Sequence, residues 1–222
     1  MKLINPAWEC AIQFEENTVN VVTIEDTCLF RETVLNFIKQ TNGDEGDFVL
    51  SVDNKEISLS KKAEVIFNPF SLDINNKKII SKLYQNLEEE AVSEVSYLET
   101  QELLSHIQSY LERISDTIEF PICFDEETNI LTLFKLVNLR IEDITISPLE
   151  KLAYYIELMQ NFCGIDLFIL VNLKIFFTKE EIESFYLELN YRKIKYILLE
   201  NVCIWRGKQE KNYIIDKDLC QI

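Results

Sequence analysis

Glycine is scarce in this sequence, with four among 222 residues. The phosphate-binding loops G-x-x-x-x-G-K-[ST] and G-x-G-x-x-G need glycines at fixed spacing, because consecutive backbone N–H groups must approach the phosphate oxygens. Gly43, Gly46, Gly164 and Gly207 match neither spacing. A conventional phosphate loop is therefore excluded.

Histidine is scarcer still, since His106 is the sole one. It lies beside the apolar stripe of a predicted helix, which favours a solvated position over a catalytic one. A cage of several histidines around a metal is excluded, and a histidine-based catalytic triad has no support.

The six cysteines include no C-x-x-C pair, which excludes a zinc ribbon and a thioredoxin-like site. Buried free thiols in a reducing cytosol are expected. The first ten residues, MKLINPAWEC, lack the apolar region of a signal peptide, and the longest apolar run is interrupted by Asp166, Asn172 and Lys174. We expect a soluble, cytoplasmic protein that does not bind a membrane.

Positive charge is also limited, with 22 Lys and Arg against 38 Asp and Glu and a formal net charge of -16. This balance disfavours generic, charge-driven binding to nucleic acid or to an anionic membrane. It leaves room for a local basic surface.

The hydrophobic pattern predicts an α/β protein. Short β-branched or apolar runs at 19–24, 165–171 and 195–200 are typical of strands, and helical patterns separate them. Ser147 with Glu150, and Thr178 with Glu181, have the spacing of capping boxes and predict two helix starts. Strands that alternate with helices indicate a mostly parallel sheet covered on both faces.

The stretch from 75 to about 117 contains neither glycine nor proline, and its apolar spacing predicts two long helices. We interpret it as an α-helical insertion, or leg, at 75–119. The α/β head domain then comprises 1–74 and 120–222.

Charge is segregated along this insertion. Residues 61–82 have a local balance of +3 and residues 83–103 one of -6. The cations of the first segment are Lys61, Lys62, Lys77, Lys78 and Lys82. Such a patch is either ordinary surface lysine or a contact for phosphate, and a symmetric oligomer would multiply it around a shared axis.

A second basic run lies near the C-terminus, among acidic residues. Its members are Arg192, Lys193, Lys195, Arg206, Lys208 and Lys211. Ordinary surface lysine and arginine is again the competing interpretation.

Asp125, Glu126 and Glu127 form a compact acidic cluster after the helical insertion, with Glu142 and Asp143 further along. Several carboxylate oxygens suit a calcium ion, although the spacing does not match an EF-hand. The cluster is equally compatible with a solvated loop.

Four segments carry a resemblance to a known family. VVTIEDTCLFRETV, IFNPFSLDINNKKIISKLYQNLEEE, FILVNLKIFFTKEEI and KYILLENVCIWRGKQEKNYIIDKD resemble successive segments of the accessory spacer-acquisition protein of type II-A CRISPR systems. The resemblance covers nearly the whole chain.

This resemblance implies a non-enzymatic protein whose α/β head is similar to a P-loop NTPase without its phosphate loop. Family members form tetrameric rings that bind calcium and encircle the ends of double-stranded DNA. Partners in the same locus would be the spacer-integration complex and the RNA-guided nuclease.

Applied to this chain, the resemblance points to Lys77, Lys78 and Lys82 as phosphate contacts, with Lys61, Lys62 and Arg113 next. It implies that Asp125, Glu126 and Glu127 hold calcium, although the preceding 120–123 is less acidic than the family pattern. A degenerate nucleotide-hydrolysing enzyme and a scaffold that binds only proteins are the alternative functions.

Overall fold

The computed structural model describes residues 1–6, 8, 11–123 and 129–216. Contacts between Cα atoms divide the chain into two compact units. The first comprises Met1–Ile74 and Ile144–Ile222, and the second comprises Asn75–Asp143.

The first unit contains a five-stranded sheet in which every recorded strand pair is parallel, with the order β6-β7-β8-β3-β9. Its strands are β3 (Val19–Ile24), β6 (Ala63–Ile66), β7 (Leu167–Val171), β8 (Lys195–Glu200) and β9 (Glu210–Ile215). All five residues of β7 are buried, as expected for an interior strand covered on both faces. The predicted α/β fold with a parallel sheet is confirmed.

The structure describes four α-helices in the first unit. They are α1 (Thr27–Thr41), the short α2 (Leu59–Lys62), α6 (Pro148–Cys163) and α7 (Lys179–Tyr191). Both predicted capping boxes form, at Ser147 with Glu150 and at Thr178 with Glu181. Gly164 ends α6 with φ of 65°, a conformation that glycine adopts without steric cost.

A second, antiparallel sheet was not predicted from the sequence. It has the order β2-β1-β4-β5, and its strands are β1 (Lys2–Ile4), β2 (Ala11–Gln13), β4 (Val49–Val52) and β5 (Lys55–Ile57). Leu3, Ile12 and Leu50 of this sheet join the core formed by Ile169 and Ile197 of the parallel sheet. The run 47–52 has a strand-like composition, and its part Val49–Val52 forms β4 of this smaller sheet.

The second unit contains α3 (Lys77–Ala91), α4 (Tyr97–Ser115) and α5 (Ile130–Leu136). The two predicted long helices are present. The unit extends to Asp143, whereas the sequence placed the return to the head at 120. The difference arises because the Tyr84 hydroxyl donates to the Leu139 carbonyl at 2.9 Å, and the Asn75 amide exchanges two hydrogen bonds with the Ile141 backbone.

The described cysteines are free thiols. Cys28 and Cys123 are exposed, while Cys163 and Cys203 are half-buried. The expectation of burial was therefore wrong for these four, because Cys28 lies on an exposed face of α1, Cys163 is the last residue of α6, and Cys123 and Cys203 lie outside helices and strands.

Candidate nucleic-acid interface

Lys77, Lys78 and Lys82 are exposed side chains at the beginning of α3. Asn76 caps this helix, and its side-chain oxygen accepts hydrogen bonds from the N–H groups of Lys78 and Ile79 at 3.0 and 3.1 Å. The cap fixes where the helix starts. The first two turns of α3 therefore carry three cations, Lys77, Lys78 and Lys82, which we call the α3 lysine cluster.

The order of charge along α3 opposes the helix dipole. The first turn contains no acidic residue, and the last turn contains Glu88, Glu89 and Glu90 but no basic residue. A helix is stabilised by anions near its N-terminus and cations near its C-terminus, by about 0.3–1 kcal/mol each. The stability of α3 therefore does not explain why lysines occupy this end.

The remaining predicted cations are divided between the units. Lys61 is exposed on α2 in the first unit. Lys62 is half-buried, because its ammonium group donates to the Gly164 carbonyl at 3.1 Å and pairs with the Asp166 carboxylate at 2.8 Å. Lys62 thus has a structural role within the first unit.

Arg113 belongs to the second unit but lies on α4, in the last turn. Its guanidinium carbon is 5.4 Å from the centroid of the Tyr110 ring. Arg113 is exposed and is not part of the α3 lysine cluster.

Two members of the C-terminal basic run already have partners within the chain. Arg192 pairs with Glu157 and Glu188, and Lys211 lies 5.7 Å from the centroid of the Tyr213 ring. These contacts favour the interpretation of ordinary structural and surface residues for this run.

The predicted calcium ligands Asp125, Glu126 and Glu127 lie outside the described residues, so calcium binding stays a prediction. Glu142 and Asp143 are exposed. Within the described ranges, no group of three or more His, Cys, Asp or Glu side chains is arranged to hold a metal ion.

The connection from β3 to α1 is a strand-to-helix turn of the parallel sheet, and phosphate loops lie in turns of this kind. Here it consists of Glu25 and Asp26 alone. The Asp26 carboxylate accepts a hydrogen bond from the Leu29 N–H at 2.7 Å. A carboxylate thus already occupies the helix N-terminus where an anion would be bound.

A buried polar cluster that was not predicted from the sequence includes Lys174 and Tyr186 of α7, and we call it the Lys174 cluster. The Lys174 ammonium pairs with the Glu210 carboxylate at 2.8 Å and donates to the Trp205 carbonyl at 3.0 Å. The Lys174 backbone N–H donates to the Glu200 carboxylate at 3.1 Å. The Tyr186 hydroxyl donates to Glu210 at 2.9 Å.

Burial changes the acidity of this cluster. It raises the pKa of Glu200 to about 7, an effect that the hydrogen bond and charge of Lys174 only partly offset. Burial and the Glu210 charge raise the pKa of Tyr186 as well. The sequence contains one signal for this cluster, which is Lys174 inside the apolar run 165–177. A lysine in such a run predicts an interruption of the run, but it does not reveal a buried ion pair.

The described part of the chain has no helix with the length and apolar character needed to cross a membrane.

Comparison with known proteins identifies the family. The curated relative CRISPR-associated protein Csn2 from Streptococcus agalactiae is 23% identical over 209 residues, which cover 91% of this chain and 89% of that protein. The ADP conformation of an ATP-binding cassette of an ABC transporter superposes with a TM-score of 0.44 and 12% identity, over 96% of this chain and 85% of the other. Residues 40–219 match the sequence model of the CRISPR-associated protein family Cas_Csn2, and the chain therefore belongs to that family.

Proposed function

We propose that this CRISPR-associated protein is a non-enzymatic ring of four copies that binds double-stranded DNA independently of base sequence and assists the acquisition of new spacers. The observation that carries the proposal is the α3 lysine cluster, because its charge order opposes the helix dipole. Contact with phosphate gives these lysines a role that helix stability does not.

Lys77, Lys78 and Lys82 are the principal phosphate contacts in this proposal, and Lys61 and Arg113 are secondary ones. Lys62 contributes less, because Asp166 already neutralises it. One copy of the cluster carries few cations for a chain with a net charge of -16. A symmetric assembly would bring several copies to one duplex, which is why the proposal includes a ring.

Calcium is part of the proposal only through the family resemblance, with Asp125, Glu126 and Glu127 as its candidate ligands. The proposed partners are duplex DNA, the spacer-integration complex and the RNA-guided nuclease of the same locus. The carboxylate of Asp26 at the start of α1 argues against the alternative of nucleotide hydrolysis.

The experiment compares two double variants that change charge equally. Lys77→Glu with Lys82→Glu alters the α3 lysine cluster, and Lys39→Glu with Lys55→Glu alters two exposed lysines of the first unit. Affinity for a short linear duplex is measured by fluorescence anisotropy over a range of salt concentrations, with calcium present.

We expect the first variant to bind at least about tenfold more weakly at low salt and to show a shallower salt dependence, by about 0.9 in log K against log salt for each lost phosphate contact. The control variant should bind as the unaltered protein does. Equal losses in the two variants would mean that net charge, and not the α3 lysine cluster, governs binding.

A further inference from the structure

Four large apolar side chains are exposed at the carboxyl edge of the parallel sheet. Phe67 and Phe70 follow β6, and Ile175 and Phe176 follow β7. Their exposed fractions range from 42% for Phe67 to 55% for Phe70. Because β6 and β7 are parallel neighbours, the connections that follow them emerge at the same edge. We call these four residues the aromatic shelf.

Ring contacts join the two halves of the shelf. The Phe70 ring lies edge-on to the Phe176 ring at 5.3 Å between centroids, and it lies 5.6 Å from the Phe177 ring. These contacts make Phe70, Phe176 and Phe177 one contiguous apolar patch, and exposed apolar patches can mark interaction sites. Aromatic side chains are also enriched at the centre of protein–protein interfaces.

The shelf is held in place before any partner binds. On the β6 side, the Asn68 side chain accepts a hydrogen bond from the Phe70 N–H at 3.0 Å, which fixes a tight turn. On the β7 side, Ile175 follows Lys174, whose buried ion pair with Glu210 anchors the short 3-10 helix Leu173–Ile175. A preorganised surface loses little conformational entropy on binding.

An acidic groove adjoins the shelf, because its lining includes Phe177, whose ring contacts Phe70 of the shelf. The groove has a volume of about 380 Å³ between the N-terminal part of α6 and α7. Its lining contains four glutamates and no lysine or arginine, and the acidic members are Glu150, Glu180, Glu181 and Glu188.

Two of these glutamates are firmly placed. The Glu150 carboxylate accepts from the N–H groups of Ile146 and Ser147, and the Glu181 carboxylate accepts from Thr178. The hydrogen bonds from the backbone and side chain of Thr178 lower the pKa of Glu181, which keeps it ionised. Glu188 is paired with Arg192 and contributes less negative charge.

We propose that the aromatic shelf and the acidic groove together bind a positively charged, partly apolar segment of another protein. An aromatic or branched apolar side chain of that segment would pack on Phe70 and Phe176. An arginine or lysine one or two residues away would enter the groove beside Glu180 and Glu181. This site shares no residue with the proposed DNA contacts, and its test does not depend on them.

Charge decides between the occupants of this surface. Nucleic acid is repelled by a groove lined with glutamate. A second copy of this chain is acidic overall, with 38 Asp and Glu against 22 Lys and Arg, so it would have to present one of its few local basic segments here, and the oligomeric mass of the site variants tests that occupant. A basic protein segment satisfies both the apolar shelf and the carboxylates.

The test uses three fluorescein-labelled peptides of equal length and the full chain. The first peptide alternates arginine with phenylalanine and leucine, the second replaces arginine with glutamate, and the third replaces the apolar residues with serine. We expect the first to bind at least about tenfold more tightly than either of the others, because both apolar contact and opposite charge are required.

Two variants locate the site, and each has a control of the same type. Phe176→Ser and Glu180→Lys should each weaken binding of the first peptide by about tenfold. Leu35→Ser, which alters an exposed apolar side chain of α1, and Glu32→Lys, which alters an exposed glutamate of the same helix, should leave it unchanged. Thermal unfolding checks that each variant is folded. If Phe176→Ser does not fold, Glu180→Lys alone tests the proposal.

Three results would overturn the proposal. Equal binding of the serine-containing peptide and the first peptide would show that charge alone drives the interaction. Undiminished binding by Glu180→Lys would place the site elsewhere. A change in oligomeric mass in either site variant, measured by light scattering and without loss of peptide affinity, would assign the surface to a second copy of this chain.

Discussion

Lys174 shows how one residue can hold several connections of a fold in place. Its side chain and backbone link the 3-10 helix after β7 to Glu200 at the end of β8 and to Glu210 at the start of β9. The Trp205 ring covers its ammonium group at 4.1 Å. Two buried carboxylates face one ammonium group here, so the cluster holds an excess of negative charge when both are ionised.

Glu200 should make the stability of the protein depend on pH. Burial raises its pKa from the ordinary 4.5 to about 7 in the folded state. Between these two values the folded chain keeps a proton that the unfolded chain releases, so the free energy of unfolding falls as the pH rises. The total loss is on the order of 3 kcal/mol, and it is complete above the folded pKa.

The measurement is urea unfolding of the unaltered protein and of Glu200→Gln at several pH values from about 4 to about 8, the window in which this carboxyl titrates. Glutamine does not ionise, so the variant should lose less stability across this range. Identical pH profiles for the two proteins would show that Glu200 does not titrate in this window.

At the scale of the element, α3 combines a strong cap with an unfavourable order of charge. Asn76 satisfies two N–H groups of the first turn. Lys77 in the same turn interacts unfavourably with the positive end of the helix dipole.

Lys77→Glu should therefore stabilise α3 while it weakens DNA binding. The expected gain in the free energy of unfolding is about 0.3–1 kcal/mol, because an anion replaces a cation near the helix N-terminus. Chemical unfolding followed by circular dichroism measures this change. A loss of stability together with a loss of DNA affinity would indicate that damage to the helix, rather than removal of a phosphate contact, explains the weaker binding.

Elements with local signals were predictable from the sequence. The starts of α6 and α7 depend on Ser147 and Thr178 bonding to groups three residues away, so a short stretch contains the whole signal. The buried strand β7 was predictable because its run is apolar throughout.

Features that depend on distant partners were not predictable. Strands β1, β2 and β5 have three residues each, which is too short to show an alternating pattern. The two local strand pairs of this sheet are joined only by the pairing of β1 with β4, which are distant in the sequence. The burial of Lys174 likewise depends on Glu200 and Glu210, which enter the fold from later strands. The α3 lysine cluster could be identified because its charge order lies within one helix, whereas the partner of Lys62 became apparent only in the folded structure.

At the scale of the whole molecule, the proposed ring makes DNA binding a question of topology as well as charge. Contacts to phosphate carry no information about base sequence, so duplexes of different composition should bind alike. A closed ring, however, admits a duplex only through a free end. Charge alone would not distinguish a linear duplex from a sealed circle of the same sequence.

The corresponding prediction compares one small DNA circle in three forms. The covalently closed form should be retained poorly, the same circle cut once should be retained well, and the cut form with both ends blocked by bound streptavidin should again be retained poorly. Retention on a filter at low salt, with calcium present, measures all three. For the cut form, log K should fall with log salt by about 0.9 per neutralised phosphate. Equal retention of the closed and cut forms would rule out loading through a free end. The α3 lysine cluster would then have to lie on an open surface that binds duplex DNA without encircling it.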